Sequence, residues 1–434
     1  MKKLHYVLLV TTLTICQSLQ AVDLITLHKE TLASSPSIAT AAADLEANKA
    51  RARQALGELL PEVSFTAKRN RTHHESLTTQ ENYNGESYQL SLTQDLFNKA
   101  KFNNKESFDY RVSESEENYL AIVANVSVDL LDRYAAVLSA EDVLSQITSE
   151  KKLTASELKS QRSMYERQLA LLTDVLDIEA RLDRLAAEEI AAKNTVAITR
   201  AALGELVGYD VTSSLSKFSD SFEYADFDGR DKDYWVDQGL RFNHQLKGLK
   251  KKVESAEASM KSASAAHLPT LYLQLSASQS NIGDQAASTS EYKSQVASIN
   301  LSMPLYSGGK TNARVREMQA EFERSSSTYE EKTRLISKNI QESYLNVSAN
   351  VASIKASAKA ILSAQKSFDA MEKGYKYGTA TVIDVLDTKR EVLKQQIEYR
   401  KKQYDYAVNY LNLLNLSGQF NENAINQVND WLVK

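Results

Sequence analysis

The chain has 434 residues, a formal net charge of −4, 25% charged and 42% hydrophobic residues, and only 4 prolines, 13 glycines and one cysteine. The near-neutral balance excludes the basic footprint of a nucleic-acid binder and the composition of a disordered tail. The scarcity of Pro and Gly argues against a turn-rich β-sandwich or a Rossmann enzyme and favours long helices.

Residues 1–21 read as an export signal. Lys2 and Lys3 form its basic start, Val7 to Ile15 its short apolar core, and Ala21 its cleavage site. The competing reading is an apolar N-terminal core helix. Ile15 is too bulky beside Cys16 for a lipoprotein signal. Cleavage removes that cysteine, so the mature chain has no disulfide, thiolate zinc site or cysteine nucleophile. No later stretch holds 18 continuous apolar residues, so no transmembrane helix is expected.

The remainder is written twice. Leu60-Pro61 is echoed by Leu268-Pro269 and Leu96-Phe97 by Leu305-Tyr306. Tyr165 is echoed by Tyr375, Asp174-Val175-Leu176-Asp177 by Asp384-Val385-Leu386-Asp387, and Gly208 by Gly418. The landmarks keep their order, and the offset between copies stays almost constant, which marks a tandem duplication. The expected units are 22–208, a polar joint at 209–235, a second copy at 236–418, and a tail at 419–434.

Each copy reads as helix, two strands, long helix, turn, helix. The first helix opens at Ser35-Pro36, with Ser as N-cap and Pro at N1, and runs to Leu60. Its counterpart runs from about Asn243 to about His267. Pro61 and Pro269 stop both and bias the next residues toward extended backbone. Strands are expected at about 61–72, 86–97, 268–280 and 291–305. Val63, Phe65 and Ala67 alternate with Ser64 and Thr66, and Leu90 and Leu92 with Ser91 and Thr93. Leu271, Leu273 and Leu275 alternate with polar residues in the third strand, and Ala297, Ile299 and Leu301 share a face in the fourth. This period suits lipid-facing barrel strands, and equally soluble hairpins laid on a core. His73 to Gly85 and Gln279 to Glu291 read as polar loops.

No Gly or Pro interrupts the chain between Gly85 and Gly204, or from Lys310 to Lys373. The second stretch alone predicts a helix of about 95 Å. Val315, Phe322, Tyr329 and Ile336 recur every seven residues, and Ile340, Val347, Ile354, Ile361 and Phe368 resume the step after a shift of four. That is coiled-coil packing with a stutter. If the strands face lipid, four cannot close, and an open sheet edge cannot sit in hydrocarbon. The chain must then associate, as an eight-stranded dimer or a twelve-stranded trimer.

Leu59-Leu60-Pro61, the run Ser302-Met303-Pro304-Leu305-Tyr306-Ser307-Gly308-Gly309, and Tyr375-Lys376-Tyr377-Gly378 followed by Asp384-Val385-Leu386-Asp387 resemble the TolC-type outer-membrane efflux family. The resemblance covers nearly all of the mature chain. It implies an α plus membrane β-barrel fold: a duplicated helix–hairpin–long-helix repeat, four strands per chain in a trimeric 12-stranded outer-membrane barrel, and a periplasmic α-helical coiled-coil tunnel. It implies an exit duct for small molecules or proteins in a tripartite efflux pump or type I secretion system. The implied partners are the homotrimer, outer-membrane lipid, a periplasmic adaptor (membrane fusion protein), and an inner-membrane ABC, RND or MFS transporter. No nucleic acid and no cofactor is implied.

The resemblance places a gated entrance at the helix turns. Asp384 and Asp387 are expected to form two acidic pore rings that attract cations and are plugged by multivalent ones. Thr381-x-x-Asp384 also fits a helix-opening capping box, and both roles can hold together. Thr173, Asp174 and Tyr375 match the family's closing latch, with Gly378 at the hairpin-tip turn. Ala380 stands where better-known members carry an arginine, which predicts a more weakly latched entrance unless Arg167 or Lys376 supplies the charge. Gln168 stands where the second copy has Gly378, which predicts a different turn and an only pseudo-sixfold entrance.

Other chemistry is not indicated. His73-His74 lacks ligand-spaced partners, Gly308-Gly309 lacks a phosphate-loop context, and neither G-x-S-x-G nor H-E-x-x-H occurs. An enzyme is not expected. The main rival is a periplasmic coiled-coil scaffold or pump adaptor, which would usually carry one hairpin and Gly-rich β-domains.

Overall fold

The computed structural model describes residues 21–433 apart from 76, 79, 220–223, 225–228 and 282–290. The export signal therefore falls almost wholly outside the described residues, as does most of the loop expected at 279–291.

Two short helices open the chain, α1 (Leu24–Ser34) and α2 (Pro36–Gly57). Asp23 caps α1 by accepting from the Thr26 backbone N–H, and Pro36 occupies the first turn of α2. The hairpin of β1 (Glu62–Glu75) and β2 (Gln80–Phe97) follows. Then come the 68-residue α3 (Lys99–Glu166) and α4 (Leu172–Val207). The second copy repeats this order: α5 (Lys232–Phe242), α6 (His244–Ala265), β3 (Thr270–Asn281), β4 (Tyr292–Ser302), the 67-residue α7 (Lys310–Lys376) and α8 (Val382–Leu416). A last helix, α9 (Glu422–Asp430), closes the chain. At 1.5 Å per residue, α3 and α7 are each about 100 Å long.

The duplication extends one helix further than the sequence suggested. The pair α1–α2 is matched by α5–α6, so the joint ends where Asp231 caps α5, inside the segment expected at 209–235. A shared hydrogen bond marks the equivalence. Ser34 Oγ donates to the Val207 carbonyl at 2.7 Å, and Asn243 Nδ2 donates to the Leu416 carbonyl at 2.9 Å. In each copy the junction between the two short helices is thereby tied to the end of the returning helix, and an otherwise orphaned helix-terminal carbonyl is satisfied.

The main core lies partway along the long helices. Leu130, Tyr134 and Leu138 of α3 meet Leu24 and Leu27 of α1 and Leu411 of α8, all essentially buried. The inter-repeat segment and the tail wrap this region: Val22 bridges Leu215, and Phe218 bridges Leu432. Tyr134 Oη donates to the Ser216 carbonyl at 2.7 Å, and burial pushes its phenol far above the ordinary range. Trp431 packs on Tyr406 and Tyr410 with centroids 5.6 and 5.7 Å apart. The stuttered seam continues into this core. Ile336, Ile340, Val347 and Ile354 are buried, as the seven-residue pattern requires.

The strands form one antiparallel sheet in the order β1-β2-β3-β4, with β2 pairing β3 across the repeat boundary. The first hairpin is longer than expected. The presumed loop from His73 is strand through Glu75 and again from Gln80, and His73 Nδ1 meets Asn82 Oδ1 across the pair at 2.7 Å. The register places Phe65 opposite Leu90, Leu92 opposite Leu275, and Leu273 opposite Ile299, so the apolar residues form one continuous face. Ser64 and Ser91, hydrogen bonded at 2.7 Å, lie on the other. Phe65 is 67% exposed and Leu301 71% exposed. Among the described residues no layer of the chain covers the apolar face, so within one chain the hairpins are not laid on a core.

The two faces respond differently to charge. Leu90→Arg is expected to cost about 2–4 kcal/mol of insertion free energy if the residue lies near a bilayer midplane, and to lower the yield of membrane-assembled protein. Ser91→Arg is expected to assemble normally. Membrane-fraction yields of the two variants check this, and equal yields would contradict the assignment of faces.

Candidate functional site

The helices of each copy turn back at a tip, 167–171 in the first and 377–381 in the second. Both turns use one left-handed residue, Gln168 with φ 59° and Gly378 with φ 74°. They share hydrogen bonds too. Leu169 N–H donates to the Met164 carbonyl at 2.8 Å, and Thr379 N–H to the Gly374 carbonyl at 2.9 Å. The expectation of a different first turn is therefore overturned. Hydrogen bonding and helix geometry hold Gln168 in a conformation that its side chain disfavours by roughly 1–2 kcal/mol.

A small apolar cluster joins the two hairpins just behind the tips. Leu158 of α3, Val175 and Ile178 of α4, and Val382 and Leu386 of α8 are buried together, with Tyr375 of α7 packed against them. Tyr375 Oη accepts from Gln161 Nε2 at 3.0 Å. Burial and the nearby Glu157 charge raise its phenol pKa. Thr173 and Asp174 sit on the first turn of α4, but their side chains make no hydrogen bond to Tyr375 among the described residues. Within one chain, Tyr375 is held by Gln161 and not by the Thr173–Asp174 pair.

Asp384 closes a capping box. Its carboxylate accepts from the Thr381 backbone N–H at 2.8 Å and from Thr381 Oγ1 at 2.7 Å, while its own N–H donates to Thr381 Oγ1 at 3.2 Å. The carboxyl is exposed, and the Thr381 donors, side chain first, hold its pKa below the usual range. Asp387, one turn on, has a different environment. Arg181 Nη1 donates to Asp387 Oδ1 at 2.6 Å, and Arg181 Nη2 donates to Glu150 Oε1 at 3.0 Å and to the Leu386 carbonyl at 3.3 Å. Arg390 Nε lies 3.8 Å from the same Glu150 oxygen.

Sequence reasoning missed Arg181. The sequence pointed to Arg167 and Lys376, at the turns, as replacement cations. Lys376 instead pairs with Glu372 on its own helix at 3.4 Å. Arg181 lies seven residues beyond Asp174, two turns along the same face of α4, and that spacing was the available signal. Among the described residues no group of three or more His, Cys, Asp or Glu side chains could hold a metal ion. No described helix is long and apolar enough to cross a membrane.

Comparisons with known proteins bear on the family and the fold. The family described as "Outer membrane efflux protein" matches residues 27–209 and 235–419. The chain is similar to Outer membrane protein TolC of Escherichia coli (strain K12), with 27% identity over 100% of this chain and 90% of that protein. It is also similar to Alkaline protease secretion protein AprF of Pseudomonas aeruginosa, with 26% identity over 88% and 82%. In fold it resembles the Campylobacter jejuni CmeC outer membrane channel, with a TM-score of 0.81 over 94% of this chain and 90% of that one at 15% identity. The outer membrane protein VceC of Vibrio cholerae gives a TM-score of 0.79 over 91% and 96% at 17% identity.

The two tips supply a direct test of the turn. Gln168→Gly is expected to stabilise the first tip locally by about 1 kcal/mol, and Gly378→Gln to destabilise the second by a similar amount. Amide hydrogen exchange over the two tips reads both changes. Unchanged or faster exchange in Gln168→Gly would contradict the shared geometry.

Proposed function

The chain belongs to the outer membrane efflux protein family and is an outer-membrane exit duct reaching into the periplasm, and on that premise we propose how it assembles and what its tips do. It is not an enzyme. Three copies close a 12-stranded barrel. The number three is what the family resemblance implies, and the observation that carries closure with further copies is the four-stranded sheet with an uncovered apolar face and two outer edges, β1 and β4, unpaired within the chain among the described residues. The four strands alternate in direction, so β4 of one copy meets β1 of the next antiparallel, as barrel closure needs. The apolar face then meets lipid and the serine-rich face lines the lumen.

The long helices continue the duct into the periplasm and end at the hairpin tips, which form its entrance. Asp384 and Asp387 project there as acidic rings, and crowding of carboxylates favours cations. The capping box supports this placement, because it fixes the Asp384 carboxylate at an exposed helix start. Gln161–Tyr375 and the apolar cluster hold the two hairpins of a copy together, while Thr173 and Asp174 remain available to the neighbouring copy. With Ala380 in place of an arginine, the tie between copies is weaker than in fully latched relatives. A periplasmic adaptor and an inner-membrane transporter supply selection and energy, and the cargo is a small molecule or a protein chosen by that transporter.

Planar-bilayer recording tests the entrance. Asp384→Ala combined with Asp387→Ala is expected to weaken block by multivalent cations and to reduce cation preference. Conductance and block equal to those of the parent would remove both carboxylates from the pore.

A further inference from the structure

We propose that Arg181 sets the charge selectivity of the periplasmic entrance by neutralising Asp387, so that of the two carboxylates Asp384 alone presents uncompensated charge to the pore. This rests on the reading of the tips as the pore entrance.

The guanidinium is fixed on three sides. It bonds Asp387, Glu150 and the Leu386 carbonyl, and so joins α3, α4 and α8. Its side chain is only 10% exposed and that of Glu150 only 6%. An arginine cannot give up its proton in a protein, and withdrawing it would strand the buried Glu150 charge. Arg390 shares Glu150 from the α8 side, so the cluster holds two cations and two carboxylates and is electrically balanced. Asp177 and Arg184, which line the same groove, are likewise opposite in sign.

Asp387 is itself 63% exposed, yet it faces the solvent with a fixed cation bonded behind it. An ion approaching it meets a close pair, whose field falls off faster than that of a single charge. Asp384 has only the neutral donors of Thr381, and those donors favour its ionised form. Two carboxylates one helical turn apart therefore differ in what they offer a cation. In a family-type pore, Arg181 would act as a positioning residue that silences one of them.

The test uses the full-length protein in planar bilayers, reading the reversal potential in a potassium chloride gradient and block by trivalent lanthanum from the periplasmic side. Arg181→Gln is expected to raise cation preference and to lower the half-blocking lanthanum concentration several-fold. Arg181→Lys is expected to keep the parental values. Asp387→Asn, which retains the buried Arg181–Glu150 pair, is expected to lose cation preference as fully as Asp384→Asn, because the cluster then carries one unbalanced positive charge that offsets Asp384. This variant carries the test if Arg181→Gln does not assemble. Parental selectivity and block in Arg181→Gln, or retained cation preference in Asp387→Asn, would overturn the proposal while leaving the acidic entrance standing. Parental behaviour of the Asp384→Ala, Asp387→Ala double variant would overturn both.

Discussion

An open sheet edge cannot sit in hydrocarbon, and this constraint governs the molecule. Each unpaired N–H and C=O in lipid costs several kcal/mol, so a membrane sheet must close on itself. This chain brings four strands, an apolar face that none of its described residues covers, and two free edges. It is incomplete by itself, and closure with further copies is what turns a twisted strip into a wall. The duplication serves the same end. Two hairpins from two repeats pair through β2 and β3, so each copy delivers a four-strand panel whose ends match.

The helices extend the wall beyond the bilayer by a different device. Continuous helices need no partner for their backbone groups, so their length is limited mainly by interruptions. Lateral order then comes from narrow seams and from a thick collar where α1, α5, α9 and the inter-repeat segment wrap the long helices. Among the described residues, the second buried apolar cluster, behind the tips, is much smaller than the collar. Local stability follows packing, so the tips are the segment best suited to move while the collar holds.

Much of this was legible in residue order, for identifiable reasons. The tandem repeat, Pro61 and Pro269, the alternating strands, the Gly-free stretches and the Thr381-x-x-Asp384 cap are local signals, and the structure has corresponding elements at those positions. The features that escaped were non-local or weakly encoded. Helix α1 has a single Asp cap and no strong apolar period. The extension of β1 and β2 past His73 is carried by polar residues, which resemble a loop when read alone. Gln168 adopts a glycine-like conformation because its two flanking helices require it, and propensity cannot anticipate that. Arg181 escaped because its spacing from Asp174 is a weak signal and its partners, Glu150 and Asp387, are far away in sequence on two other helices.

The central claim is that the panel closes only as a trimer in the outer membrane. Native mass of the detergent-extracted outer-membrane protein tests it most directly. The account predicts a particle of three chains that requires detergent to stay in solution. A water-soluble monomer or dimer would contradict it, and would leave a duplicated coiled coil with no barrel to carry.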